Sequence, residues 1–293
     1  MNRLVFLLAL VGCSLAIRDQ AVAVTGQLMC GSKPAANVRV KLWEEDSGPD
    51  PDDILDEGYT DANGRFSLKG TEAEMTPIDP IFKVYHDCDD GILPGSRKVK
   101  FGIPKSYISQ GTVAKKEFNI GVLNLETIFP KRMSYLILLF GLIACSFAMR
   151  DQSVSVTGQF LCGTNPADNV HVLLYEEEPG SDSDVLLDEG YTSQNGRFTL
   201  KGNKTELTPI DPILYVYHDC GDGLPGSRKM KFGIPKLYLT NGLVPLREFN
   251  MGSINLENIF YAEERVAISP RRRRFADHSS EMKREQRPLA WLY

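Results

Sequence analysis

The feature that most constrains this chain is that it contains itself twice. Blocks of its first half return 132 positions later: VTGQ at 25 and 157, LDEGYT at 55 and 187, NGRF at 63 and 195, TPIDPI at 76 and 208, YHDC at 85 and 217. After Cys88 the second copy lacks a residue opposite Ile92, and LPGSRK and KFGIPK recur at an offset of 131. A repeat of about 110 residues is the size of one small domain, so two similar folded modules follow, with a loop absorbing the deletion. Copies this similar are expected to act alike.

The repeat reaches into an apolar leader. Residues 1–16 have Arg3 as positive flank, an apolar run and a small-x-small end at Ser14-Leu15-Ala16, the pattern of a signal peptide. Residues 131–148 repeat it, from Lys131 and Arg132 to Ser146-Phe147-Ala148, with Met133 opening the copy. The apolar stretch 135–149 is 15 residues long, short of the roughly 20 that a spanning helix needs, so no stable membrane span is expected. An internal leader with its own Met points to two adjacent single-domain genes joined in one sequence, with a buried linker helix as the alternative. The expected division is leader 1–16, domain 17–130, leader-like segment 131–148, domain 149–260 and tail 261–293.

Within a module the hydrophobic period is two. Val22, Val24, Gly26, Leu28 and Cys30 alternate with Ala21, Ala23, Thr25, Gln27 and Met29, and in the second copy the two alanines become Ser153 and Ser155, so the Val/Cys face is expected inward. Val38, Val40 and Leu42 repeat the logic, and LDEGYTDANGRFSLKG reads as a hairpin with Asn63-Gly64 in its turn. Further strands are expected at 81–88, 98–103 and 117–125. Six or seven short strands, with no helical run of ten, predict an all-β chain of two antiparallel β-sandwich domains.

Cys13 and Cys145 fall in the leaders, leaving Cys30 with Cys88 and Cys162 with Cys220, each pair 58 apart. Cys88 shares parity with Phe82, Val84 and His86, so it faces the core as Cys30 does. An even number of inward cysteines behind a leader reads as two disulfides in a secreted protein, two free buried thiols per module being the alternative.

The ordered blocks V-x-G-x-x-x-C, L-W/Y-E-E, LDEGYT-x-x-NGRF-x-L-KG, E-x-T-P-I-D-P-x-x-x-V-Y-H-D-C and LPGSRK-x-KFGIPK resemble the nematode transthyretin-like family over both modules. The resemblance implies transthyretin-like, immunoglobulin-like sandwiches, secretion to the extracellular region or cell surface, and the pairings Cys30–Cys88 and Cys162–Cys220. It implies a binding or bridging role more than catalysis. The enzymatic relatives of this fold, the hydroxyisourate hydrolases, use several histidines, an arginine and a C-terminal Tyr-Arg-Gly-Ser, a set missing here. Of four histidines only His86 and His218 correspond between copies, and each reads as a structural residue.

No catalytic residue, metal or cofactor is assigned. The acidic stretches 44–57 and 176–189 lack the D-x-D-x-D-G order of a calcium loop and read as solvated turns. In SRKVKFGIPK, Arg97, Lys98 and Lys100, with Arg228, Lys229 and Lys231 in the copy, flank an apolar strand inside domains of net charge about −5 and −6. They are the candidate contacts for an anionic ligand, a soluble edge strand being the bland reading. Asn203 opens the one N-glycosylation sequon, expected in a polar loop. The tail carries Arg271 to Arg274 without a strand pattern and is expected to be disordered. The net charge of −5 gives no footprint for nucleic acid. The partners expected are an extracellular protein, a lipid headgroup or a small apolar ligand, the last carried in a pocket formed by an oligomer.

Overall fold

The computed structural model describes residues 18–45, 53–89, 96–129, 149–177, 184–221 and 223–266. Both leaders, the Arg271 to Arg274 run and the middle parts of the two acidic stretches lie outside the described residues. Two compact units emerge. Unit 1 runs to Leu125 and includes Glu257–Tyr261, and unit 2 runs from Glu126 to Leu256 and continues from Ala262.

Unit 1 holds β1 (Arg18–Cys30), β2 (Lys33–Pro34), β3 (Arg39–Glu44), β4 (Asp53–Tyr59), β5 (Arg65–Glu74), β6 (Pro80–His86), β7 (Arg97–Gly102), β8 (Ser109–Gln110) and β9 (Phe118–Asn124). Unit 2 repeats them as β10 (Arg150–Cys162), β11 (Asn165–Pro166), β12 (His171–Glu176), β13 (Val185–Tyr191), β14 (Arg197–Glu206), β15 (Pro212–His218), β16 (Ser227–Gly233), β17 (Thr240–Asn241) and β18 (Phe249–Asn255). Ile259–Phe260, β19, belongs to unit 1, and Glu264–Val266, β20, to unit 2. The helical elements among the described residues are two single 3₁₀ turns, Lys105–Tyr107 and Lys236–Tyr238, and none is long and apolar enough to cross a membrane.

In unit 1 one sheet is built on β1, antiparallel to β2, β5 and β8 and parallel to β9. The other runs β4-β3-β6-β7-β19, all antiparallel. Alternation drives both inner faces together. Val40, Leu42, Phe82, Val84, Val99 and Phe101 from one sheet and Val22, Val24, Leu28, Phe66 and Leu68 from the other are buried, and Phe66 stacks on Phe82 with ring centroids 4.6 Å apart. Unit 2 repeats this core, with Phe160 stacked on Phe198 at 5.0 Å. The chain is all-β, with two sandwich units, as the alternation requires.

Four details depart from the sequence expectations. The LDEGYT…NGRF stretch is not a hairpin: β4 pairs with β3 and β5 with β1, so the turn between them carries the chain from one sheet to the other. That corner is held by Asp61, whose Oδ1 accepts the backbone N–H groups of Asn63 and Arg65, and Gly64 supplies its positive φ of 74°. The second departure is that β1 and β10 are buried on both faces. Ala21, Ala23, Ser153 and Ser155 are as covered as the valines between them. Third, the tail begins as structure, because β20 pairs with β16 through Ser227↔Val266 and Lys229↔Glu264. Fourth, the units do not break at 130 and 260. Ile128 exchanges backbone hydrogen bonds with Gly233 in unit 2, and Ile259 pairs with Gly102 in unit 1. The segments around Ile128 and Ile259 are copies of each other, so each suits the other's place, and periodicity cannot distinguish the two assignments.

Candidate functional site

Cys30 ends β1 and Cys88 follows β6, so the Cys30–Cys88 bond, with Cα atoms 5.7 Å apart, ties one sheet to the other; Cys162–Cys220 does the same in unit 2 at 5.7 Å. His86 and His218, buried on the core-facing side of β6 and β15, sit beside these bonds. The backbone N–H of Cys220 donates to His218 Nδ1 at 3.2 Å.

The candidate basic residues separate by parity. Arg97 shares the inward side of β7 with Val99 and Phe101, and its Nη1 donates to the carbonyl of Cys88 at 2.9 Å. Arg228 is buried, 6% exposed. It donates through Nε and Nη2 to the carboxylate of Glu263 and through Nη1 to the carbonyl of Leu256. Both arginines therefore work inside their units and not beside the lysines. The period-two reading contained this separation, since each arginine is two residues from a core position.

Lys98 and Lys100 point outward on β7, and strand register brings three further cations to them that the sequence reading missed. One cross-strand row is Tyr59↔Arg39↔Tyr85↔Lys98 and the next is Glu57↔Lys41↔Lys83↔Lys100. A third ends Trp43↔Ile81↔Gly102. The residues of each row are tens of positions apart in the chain, and only the register of β3 with β6 reveals them as neighbours. Lys83, 5% exposed, places its ammonium 4.0 Å from the Trp43 ring centroid, with Lys41 at 5.3 Å. Lys98 lies 5.5 Å over Tyr85, and Lys100 lies 3.9 Å over Tyr261. Such contacts hold cations on aromatic faces.

Carboxylates temper the charge. Glu57 accepts from Lys41 and Arg39, each at 3.0 Å, and these hydrogen bonds, that of Lys41 first, hold its pKa below the ordinary value while Glu57 raises that of Arg39. Glu45 pairs with Lys100 at 3.3 Å.

In unit 2 the same rows read Tyr191↔His171↔Tyr217↔Lys229 and Glu189↔Leu173↔Tyr215↔Lys231. Five basic groups at these positions in unit 1 become two. Lys229 pairs with Glu264 at 3.4 Å and Lys231 reaches Glu177 at 4.0 Å, while both lie over the Tyr215 ring. Tyr215 donates to Asp184 at 2.7 Å, and burial, then that carboxylate, raises its pKa. Copies with matching cores thus carry unlike outer faces.

Asn203 lies within β14 and not in a loop, with its side chain on the exposed side of the strand opposite Ser153. The hydroxyl of Thr205 donates to Asp151 at 2.6 Å.

The profile of the Transthyretin-like family matches residues 25–104 and 157–235, one stretch in each unit. Transthyretin-like protein 46 of Caenorhabditis elegans is 70% identical over 133 residues, which is 45% of this chain and 74% of that protein. Transthyretin-like protein 33 of the same organism is 50% identical over 124 residues, 42% of this chain and 86% of that one. Two matched stretches on two sandwich units that each close with one disulfide place this chain in the Transthyretin-like family.

Proposed function

We propose that the protein is secreted and non-enzymatic, and that it acts outside the cell as a binding or bridging protein whose unit 1 engages anionic lipid headgroups. The observation that carries this reading is the outer face of β3, β6 and β7, where Lys98 and Lys100 stand in the same cross-strand rows as Arg39, Lys41 and the covered Lys83, beside Trp43 and Tyr85. Strands fix these groups in place, so little ordering is needed on binding. Indole and phenol rings next to ammonium groups suit the boundary between headgroups and acyl chains. Leader sequences and two disulfides support secretion. The burial of His86 and His218 supports a structural role for the repeated histidines over an acid–base one.

The test is flotation of the full chain with vesicles of phosphatidylcholine, with and without phosphatidylserine. Each basic residue near an anionic surface contributes about 1 kcal/mol, so K98Q/K100Q should weaken binding to the anionic vesicles by about thirtyfold. K229Q/K231Q, in the unit whose matching rows hold two basic groups against five, should change it by less than about threefold. Equal binding to both vesicle types, or full binding by K98Q/K100Q, would remove the reading.

A further inference from the structure

Replacement of Arg39 by His171 changes more than one charge. Around His171, unit 2 has a cavity of about 630 Å³, within the range of small-molecule sites. Three rings form its wall. His171, 3% exposed, stacks on Tyr191 with centroids 4.7 Å apart and an interplanar angle of 12°, and Tyr217 lies 5.8 Å from it. Val170 and the Cys162–Cys220 bond give it an apolar floor, and the exposed carboxylates of Asp168 and Asp219 stand at its edge. Among the described residues no lysine or arginine lines it, and Glu189 lies behind the imidazole, 3.7 Å from Nε2.

We propose that this cleft binds a small organic cation, an amine or quaternary ammonium on an apolar body. Aromatic faces attract a cation through the ring quadrupole, most strongly where water is excluded. The two carboxylates select positive charge, and the apolar floor takes the rest of the molecule. At the matching place in unit 1, Arg39 fixes a guanidinium 3.0 Å from Glu57, and a cationic ligand would be repelled. The two units of one chain thereby acquire opposite preferences, anionic surface on one and organic cation on the other. The cation site stands whether or not unit 1 meets lipid.

Calorimetric titration of the full chain with phenethylamine and with its uncharged analogue 2-phenylethanol tests this. The amine should bind at least about tenfold more tightly than the alcohol. H171R, which installs the residue unit 1 carries at that position, should weaken the amine by about tenfold or more, measured at a temperature where the variant remains folded. D168N/D219N changes only exposed groups and gives a second variant that folds, and it too should weaken the amine. Equal affinity for the two probes would reduce the cleft to an apolar depression and overturn the proposal. So would an amine that does not bind at millimolar concentration, or one that binds both variants as well as the parent chain.

Discussion

Arg228 and Glu263 meet as a two-pronged ion pair, Nε to Oε1 at 3.0 Å and Nη2 to Oε2 at 2.7 Å, with the guanidinium almost wholly covered. The pair fastens the residues leading into β20 to β16, and Arg228 also donates to the carbonyl of Leu256 at 3.0 Å. Removing one partner of a buried pair leaves a charge without compensation, which costs about 3–5 kcal/mol. Glu263 is partly exposed, so E263Q should cost about 2–3 kcal/mol, read as a lower urea midpoint. Lys229 and Glu264 form the exposed comparison at 3.4 Å, and E264Q should cost less than about 0.5 kcal/mol. Similar losses for the two variants would show that the Arg228 pair is not a fastening.

Gly64 and Gly111 both have positive φ, 74° and 98°, yet their surroundings differ. A Cβ on Gly64 would meet the carbonyl oxygen of Leu28, whereas one on Gly111 would meet nothing within 4 Å. The contact arises because Leu28 N–H donates to the carbonyl of Gly64 at 2.7 Å, pinning the corner to β1. G111A should therefore cost only the conformational strain, about 1 kcal/mol. G64A adds a backbone clash that cannot relax without breaking the corner, and should cost about 3 kcal/mol or more. Chemical denaturation of the two variants decides it, and equal costs would contradict the clash.

The sandwich was legible because its inward residues alternate on nearly every strand, and the duplication doubles each observation: Val40, Leu42 and Phe82 have Val172, Leu174 and Leu214 behind them. The cysteines were legible for the same reason, parity and an even count. What failed was nonlocal. LDEGYT and NGRF have the spacing of a hairpin, and nothing in their residues says that β4 will prefer β3 and β5 will prefer β1. Ala21 and Ser153 are small enough to be buried or exposed, so their types did not reveal burial on both faces. The candidate face was half visible: Lys98 and Lys100 are adjacent in one strand, but Lys41 and Lys83 join them only through register. Arg97 and Arg228 were grouped with the lysines by charge when their parity placed them with the core.

Three tyrosines should titrate late. Tyr107 donates to Glu257 at 2.6 Å, and burial first, then that carboxylate, push its phenol up to about 12, as burial does for Tyr217. Tyr215 is shifted the same way. An unfolded tyrosine ionises near 10, so between about pH 10 and 12 the folded chain holds protons that the unfolded chain has lost. Their contribution is complete below pH 10 and disappears as pH rises towards 12, so stability falls over that interval. Urea midpoints measured at stepped pH should drop there, and Y107F should make the drop shallower. A midpoint independent of pH across the interval would contradict these shifts.

The two disulfides offer matched perturbations in one chain. Each closes a separation of 58 residues, for which restriction of the unfolded chain gives about 4 kcal/mol in the entropy model. Replacing Cys30 and Cys88 together by serine removes that restriction and frees the end of β1 from the end of β6, where His86 is buried. Replacing Cys162 and Cys220 does the same in unit 2 but also removes part of the floor of the cleft beside His171. Both double variants should therefore lose similar stability, about 3–4 kcal/mol, measured as the shift in the unfolding transition of the oxidised parent. Phenethylamine binding should separate them. It should survive C30S/C88S and fall by about fivefold or more in C162S/C220S at a temperature where both remain folded. Loss of binding in both, or in neither, would show that the cleft does not depend on the bond that lines it.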